Sequence, residues 1–311
     1  MANPILEVSN LTKQFKKILA VNNISFNVKE GEIVGLLGPN GAGKTTTIQM
    51  LLGVLSPTNG TVKYFGKDFN TYREEILGQL NFCSSYIKLP WRMKVWENLD
   101  VIARLYGVKN RRERIDKLLQ IFEMLEFKNN FVSDLSAGQT MRINLVKAFL
   151  NYPKLILLDE PTASLDPEVA QKVRDFLLKE QEEFGVSMLL TSHNMSEVEQ
   201  LCDRVIFLNK GQVLEEGTPE ALAARIETAR VELFFPKNKD RAADLITKEG
   251  WTVTHSGRYL QIKVKEQDIA KMLSLLNSHN LRFSEISIDK PNLEDFFLKT
   301  AKEVQNELEQ G

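Results

Sequence analysis

An α/β fold is predicted: a parallel sheet covered by helices, interrupted by a helical insert and followed by a small α+β domain. Three observations predict it. Wholly apolar runs at Ile33–Leu37, Leu155–Leu158, Met188–Leu190 and Val205–Leu208 alternate with helical segments. Strands apolar on both faces belong to a sheet buried between helices. From about Val95 to Ala148 the period turns almost wholly helical, with Leu99, Ile102 and Leu105, then Ile115, Leu118, Leu119 and Phe122. Beyond about residue 228 short amphipathic strands return, mixed with helices.

In chain order, Ile5–Val8 and Ile24–Val28 are predicted strands, with turn-rich Thr12–Asn23 between them. The buried run Ile33–Leu37 leads into a glycine-rich loop, and a helix follows through Thr45–Leu55. Ser56-Pro57-Thr58-Asn59-Gly60 is a strong turn signal that closes it. Strands at Thr61–Phe65 and Asn81–Ser84 flank a helical pattern at Tyr72–Gly78. After the insert, at about 86–150, come the three remaining apolar strands. Thr218-Pro219 is a helix start, with proline at the first helical position. That helix, to about Glu227, is expected to close a first domain at 1–228. Domain 229–311 is expected to hold strands at Arg230–Phe235, Thr252–His255 and Tyr259–Val264 and helices at Asp240–Glu249, Gln267–His279 and Leu293–Leu308.

Composition narrows the function classes. The 311 residues carry 40 basic and 41 acidic side chains, a formal net charge of −1, so no global field points to nucleic acid. The basic run at Arg111-Arg112-Glu113-Arg114 mixes signs and reads as a solvated helix face. Cys83 and Cys202 have no pairing pattern and no neighbours at metal spacing, which fits buried free thiols in a reducing compartment. The N-terminus lacks a signal-peptide layout, and no window approaches the roughly 18 apolar residues of a membrane span. A cytosolic chain, or one held at a membrane by another protein, is expected.

Gly38-Pro39-Asn40-Gly41-Ala42-Gly43-Lys44-Thr45 matches G-x-x-x-x-G-K-[ST] and sits between a buried strand and a helix, as a phosphate-binding loop must. Glycines let consecutive backbone N–H groups approach phosphate oxygens, and the helix N-terminus adds its positive end. Lys44 is assigned to the β- and γ-phosphates of ATP and the Thr45 hydroxyl to Mg²⁺, with Thr46 also assigned to nucleotide binding. A second motif, Leu155-Ile156-Leu157-Leu158-Asp159-Glu160, ends a central strand in two carboxylates. Ligands of open α/β sheets bind at that end. Asp159 is assigned to the Mg²⁺ shell and Glu160 to the attacking water as general base. Without the phosphate loop, this run would be only a strand end.

With these motifs the chain resembles the nucleotide-binding subunit of ATP-binding-cassette (ABC) transporters, over about residues 4–228. Leu135-Ser136-Ala137-Gly138-Gln139 is similar to the family signature, usually LSGGQ; Ser164-Leu165-Asp166 is similar to its D-loop. His193 matches the switch histidine that contacts the γ-phosphate. Phe15 stands where the family stacks an aromatic on adenine, although taken alone it is equally a core residue. Ser136 can cap a helix whose N-terminus forms a second anion site. The resemblance implies a head-to-tail homodimer with two ATP, each between Lys44 of one chain and Ser136, Gly138 and Gln139 of the other, with Asp166 at the interface. It also implies an ABC-type ATPase (a P-loop NTPase with a helical insert) on the cytoplasmic face of a membrane, powering a separate permease. Pro291-Asn292-Leu293-Glu294-Asp295-Phe296-Phe297 is similar to the ending of accessory domains on bacterial exporter subunits, so export is expected over import. The rival class is a soluble ABC ATPase outside transport. Translation-type members carry two cassettes and repair-type members long heptads, and this chain shows one phosphate loop and no heptads.

One departure stands out in Asn81-Phe82-Cys83-Ser84-Ser85-Tyr86. Counting back from Trp96-Glu97-Asn98-Leu99 puts Ser85 where the family keeps a glutamine near Mg²⁺. A serine would reach the metal only through water. Either water replaces the amide, or sensing of the γ-phosphate at this loop is weakened. Tyr86, Leu89, Trp91 and Met93 beyond it either face the permease or pack the start of the insert.

Overall fold

The computed structural model describes residues 4–84 and 87–300. The chain divides into two compact units, Met1–Pro219 and Glu220–Gly311.

In the first unit β1 (Pro4–Phe15) and β2 (Ile18–Lys29) form one long hairpin. The segment expected as turns, Thr12–Asn23, is thus mostly strand. Leu11, Val21 and Ile24 are buried along it, which holds the pairing together. The register shifts near Leu11 instead, and Asn10 and Asn23 take left-handed backbone there (φ 53° each). Asparagine tolerates that conformation, so its turn-like chemistry marks bulges and not loops. β3 (Ile33–Leu37) is wholly buried and passes through the loop into α1 (Lys44–Leu51). β4 (Asn59–Tyr64) and β5 (Lys67–Asp68) complete an antiparallel sheet of order β2-β1-β4-β5. The short α2 (Arg73–Leu77) leads to β6 (Leu80–Ser84).

The insert holds α3 (Val95–Leu105), α4 (Arg111–Ile121) and α5 (Ala137–Ala148). Glu97 reaches back to the Lys94 N–H at 2.8 Å and starts α3. Phe122 and Phe149 pack edge-on against Phe176 at 4.7 and 4.8 Å between ring centres. The chain returns through β7 (Leu155–Asp159), α6 (Pro167–Phe184), β8 (Ser187–Thr191), α7 (Met195–Leu201), β9 (Arg204–Asn209) and β10 (Gln212–Gly217). These build the order β10-β9-β3-β8-β7-β6, parallel except for the edge strand β10. Leu36, Leu157, Leu189 and Ile206 pack in its core. The carboxyl ends of β3, β7 and β8 therefore meet at one edge, where the motif-bearing loops emerge.

The second unit begins with α8 (Pro219–Ala223), then β11 (Thr228–Phe234), α9 (Lys239–Lys248), β12 (Thr252–Ser256), β13 (Tyr259–Lys265), α10 (Ile269–Ser278) and β14 (Glu285–Asp289). Its antiparallel sheet runs β12-β13-β11-β14 over a core that includes Val231, Leu233, Ile262 and Leu276. The division falls after Pro219 and not at 228, so α8 belongs to the second unit. Arg225 lies over the Phe296 ring and Glu227 pairs with Lys265, which ties the segment after α8 to that unit. Residues 293–300 are helical; the remainder of the helix expected to Leu308 lies outside the described residues. No helix among the described residues is long and apolar enough to cross a membrane.

Arg204 joins the two sheets of the first unit. Its guanidinium donates to both Glu32 oxygens at 2.7 and 2.8 Å and to the Asn27 carbonyl at 2.8 Å, and it pairs with Glu216. The Arg204 and Glu32 side chains are only 14% and 11% exposed, so the pair is screened far less than a surface one. Burial alone would raise the Glu32 carboxyl. Its bonds to Arg204 and the Lys29 N–H, with the Arg204 charge, outweigh burial and hold it below its ordinary value of 4.5. A depressed carboxylate stabilises the fold above that value and loses its contribution as pH falls through the folded-state pKa. Arg204→Ala is expected to destabilise by about 3 kcal/mol at pH 7. It should also remove part of the stability loss that wild type shows below about pH 4.5. Urea denaturation across pH checks both.

Candidate functional site

The loop after β3 is shaped by what glycine permits. At Gly38 (φ 151°) a Cβ would lie 2.2 Å from the Leu208 carbonyl oxygen. At Gly43 (φ 101°), which caps α1, a Cβ would lie 2.6 Å from the Ala20 carbonyl oxygen. Both contacts are with backbone, so no side chain can move aside to admit it. Ala42 N–H donates to Pro39 O at 3.1 Å and closes the turn, while Asn40 and Gly41 stand exposed at its tip. Lys44 curls into the loop, donating to Gly38 O at 2.5 Å and Pro39 O at 3.1 Å. Burial lowers its pKa, and the charges of Glu160 and Asp159 oppose that shift. Lys44 thus lies in the field of both carboxylates that the second motif supplies. Thr45 is exposed and Thr46 half-buried at the start of α1.

Across the sheet, the parallel register sets Ser84, Asp159 and Thr191 side by side on β6, β7 and β8. Asp159 accepts from the Thr191 hydroxyl at 2.5 Å and from the Ser84 hydroxyl at 3.2 Å, one on each carboxylate oxygen. Every carboxylate oxygen has a second lone pair, so Asp159 remains able to face a hard cation. The Asp159 carboxylate and the Thr45 hydroxyl are both hard oxygen donors, the chemistry that Mg²⁺ takes alongside substrate phosphates. The chain then turns sharply. Glu160 adopts left-handed backbone (φ 56°), uncommon for a non-glycine residue, and its N–H donates to Thr191 O at 3.0 Å. The turn separates the directions of two adjacent carboxylates. Glu160 leaves Asp159 behind and pairs with Nδ1 of His193, whose side chain is 78% exposed.

The remaining assigned residues occupy three places. Ser136 caps α5: its hydroxyl accepts from Gln139 N–H at 3.2 Å, and the Gln139 side chain accepts from Ser136 N–H at 2.8 Å. A Cβ on Gly138 would lie 3.2 Å from Ser164 O, so the signature helix abuts the D-loop of the same chain. Asp166 is exposed at the N-cap of α6, one residue before Pro167, and its side chain makes no capping bond. Phe15 is 43% exposed at the hairpin end, with Lys13 Nζ 5.1 Å from its ring centre. The hairpin passes beside the phosphate loop, since Ala20 faces Gly43. Ser85 and Tyr86 lie outside the described residues. Near them Leu89 is buried and Trp91 is 61% exposed. Gln79, a glutamine six residues before Ser85 on the far side of β6, donates its side chain to Glu75 O at 3.4 Å and does not replace the missing one. Both thiols are buried; burial pushes Cys83 up to about 12 and Cys202 well above its usual value.

Sequence reasoning missed the hydroxyls of Ser84 and Thr191 on Asp159, and the buried carboxylate of Glu197, which accepts from Ser192 and Thr162. A polar residue ending an apolar strand is the sequence signal for the two hydroxyls; Glu197, inside α7, has none. A groove of about 700 Å³ opens at the other end of β7 and β8, lined in part by Arg114, Tyr152, Lys154 and Phe184. It includes none of the assigned residues.

Comparison with known proteins gives a consistent picture. A family model described as ABC transporter matches residues 21–163. The bacitracin transport ATP-binding protein BcrA of Bacillus licheniformis is 31% identical over 302 residues, covering 95% of this chain and 96% of its own length. The Nod factor export ATP-binding protein I of Rhizobium sp. (strain N33) is 34% identical over 312 residues, covering 98% of this chain and all of its own. Among solved structures, the dimeric post-hydrolysis state of the ATP-binding cassette MJ0796 bound to ADP and Pi aligns with a TM-score of 0.64 at 28% identity, over 68% of this chain and 98% of that one. The geometry of the loop yields a test. Gly43→Ala should strain it by about 2 kcal/mol and weaken ATP binding roughly tenfold or more, with circular dichroism unchanged. Titration with a fluorescent ATP analogue measures this, and unaltered affinity would show that the Ala20 contact does not shape the loop.

Proposed function

Because the chain belongs to the ABC transporter family, as an exporter-like ATP-binding subunit and ABC-type ATPase, we propose that it drives export through a separate membrane permease from the cytoplasmic face. The observation that carries the catalytic part is the pairing of Glu160 with His193 beside a lysine held in the field of Asp159 and Glu160. Lys44 and the backbone N–H groups of the loop between Asn40 and Thr46 cradle the β- and γ-phosphates. Thr45 and Asp159 would hold Mg²⁺, which when bound would supply positive charge beside the transferred phosphoryl group. Glu160 takes the proton of the attacking water as its oxygen adds to the γ-phosphorus and the bond to ADP breaks. His193 fixes Glu160 through Nδ1 and leaves Nε2 free to meet the γ-phosphate.

Ser136, Gly138 and Gln139 belong to a second phosphate contact in the same chain. One nucleotide uses one phosphate loop and one signature, so a head-to-tail homodimer with two ATP accounts for both. Phe15 stacks on adenine at the hairpin end, and Asp166 meets the partner chain. ATP binding closes the dimer and hydrolysis reopens it, a two-state element biased by nucleotide. Exposed Trp91, Trp96, Val101 and Leu105 on and before α3 offer the permease an apolar contact. The second unit, Glu220–Gly311, is read as dimer support or regulation of the ATPase unit.

Glu160→Gln is expected to cut steady-state hydrolysis at least about 100-fold. ATP-dependent dimers should still accumulate on size-exclusion chromatography. Unchanged turnover would remove Glu160 from the base role. For transport, a polytopic membrane subunit should co-purify from native membranes, and Trp91→Glu should reduce its recovery.

A further inference from the structure

Glu197 is a buried acid that the hydrolytic scheme leaves unused. It lies on α7 beside the apolar residues Val198 and Leu201 and is itself only 2% exposed. Its Oε2 accepts from the Ser192 hydroxyl at 2.6 Å and its Oε1 from the Thr162 hydroxyl at 2.7 Å. No lysine, arginine or histidine among the described residues pairs with it. A carboxylate withdrawn from water needs donors to replace its hydration shell, and here two hydroxyls supply them. An apolar side chain would fill the same space without that requirement, so packing does not explain an acid at this position.

What the acid joins does explain it. Ser192 directly precedes His193, and Thr162 follows Glu160 by two residues. The links close a ring: Glu160 to His193 by their side-chain contact, His193 to Ser192 along the chain, Ser192 to Glu197 to Thr162 by hydrogen bonds, and Thr162 back to Glu160 through Pro161. Asn194 braces the ring, its N–H donating to the Ser192 hydroxyl at 3.0 Å and its side chain accepting from Glu197 N–H at 3.3 Å. We propose that Glu197 is a positioning residue that clamps the loops after β7 and β8 together, so that Glu160 and His193 keep their contact as nucleotide enters and leaves. Strands β7 and β8 hold the bases of these loops, and beyond them the bonds of Glu197 to Ser192 and Thr162 tie one loop to the other. The inference rests on Glu160 being the general base.

The test uses the full chain and steady-state ATP turnover over a range of ATP concentrations. Glu197→Gln and Thr162→Val should each lower kcat roughly 10- to 100-fold. KM for ATP should stay within about twofold, because the phosphate loop is untouched. Thr162→Ser, which keeps the hydroxyl, should restore most of the turnover that Thr162→Val loses. Glu197→Gln combined with Thr162→Val should be no slower than the slower single variant, since both open the same ring. Normal kcat in Thr162→Val overturns the proposal, as does Thr162→Ser being equally slow. Losses of affinity and thermal stability that parallel kcat also overturn it, because they indicate a purely structural role. Should Glu197→Gln fail to fold, the two Thr162 variants decide. Glu160→Gln measured alongside separates the two ideas. Wild-type turnover there defeats the general-base reading, whereas an inactive Glu160→Gln beside a normal Thr162→Val defeats only the clamp.

Discussion

Asp159 sits at the end of a buried strand, half withdrawn from water, and the chemistry around it depends on how its charge is supported. The parallel register of β6, β7 and β8 supplies the support by placing a hydroxyl on each side. Hydrogen bonds to a charged acceptor contribute about 1.5–3 kcal/mol each, enough to offset much of the desolvation of a half-buried carboxylate. With Asp159 anchored, the turn that follows can take an uncommon conformation. Glu160 N–H bonds to Thr191 O, the residue whose hydroxyl already holds Asp159. One threonine thus fixes Asp159 through its side chain and Glu160 through its backbone.

The same site shows a division between rigid and adjustable parts. The sheet presents Asp159 and Glu160 at the end of β7, and the phosphate loop before Lys44 leaves β3. The apolar residues of both strands are almost entirely buried, so these bases move little. The signature residues ride on the insert, which meets the sheet layer through α5, β6 and the aromatic cluster at Phe176. Ser136 and Gln139 cap each other, so the helix N-terminus is preformed and not assembled on binding. The backbone contact of Gly138 with Ser164 connects that helix to the D-loop. Movement of the insert would therefore be felt two residues from Asp166, on the segment that follows Glu160.

Much of this was legible in the sequence because its carriers are local. The phosphate loop is eight consecutive residues between a buried strand and a helix, and β3 falls at Ile33–Leu37 as its apolar run indicates. The carboxylate strand and the helical insert were legible for the same reason, since periodicity and motif spacing are properties of short windows. What escaped is non-local or disguised. Ser84 meets Asp159 across 75 positions, and Glu197 meets Thr162 across 35, so no window contains either pair. Asn10 and Asn23 look like turn residues yet serve bulges inside a hairpin. The edge strands β10 and β14 went unseen because they are short and largely exposed, and the helix at Pro219 joined the second unit through contacts made farther along the chain. Ser85, which the sequence spacing sets at the family's glutamine position, lies outside the described residues; its neighbour Ser84 engages Asp159 directly.

That one active site is built from two chains is the central claim, and a mixing experiment tests it most directly. Lys44→Ala disables the phosphate loop and Ser136→Arg blocks the signature, so each homodimer should be inactive. In a head-to-tail mixed dimer both lesions fall in one site and the other site is wholly wild type. Mixing and re-equilibrating the two inactive proteins should restore ATP turnover, to at most about a quarter of the wild-type rate for a random mixture. A mixture as inactive as its components would contradict the account.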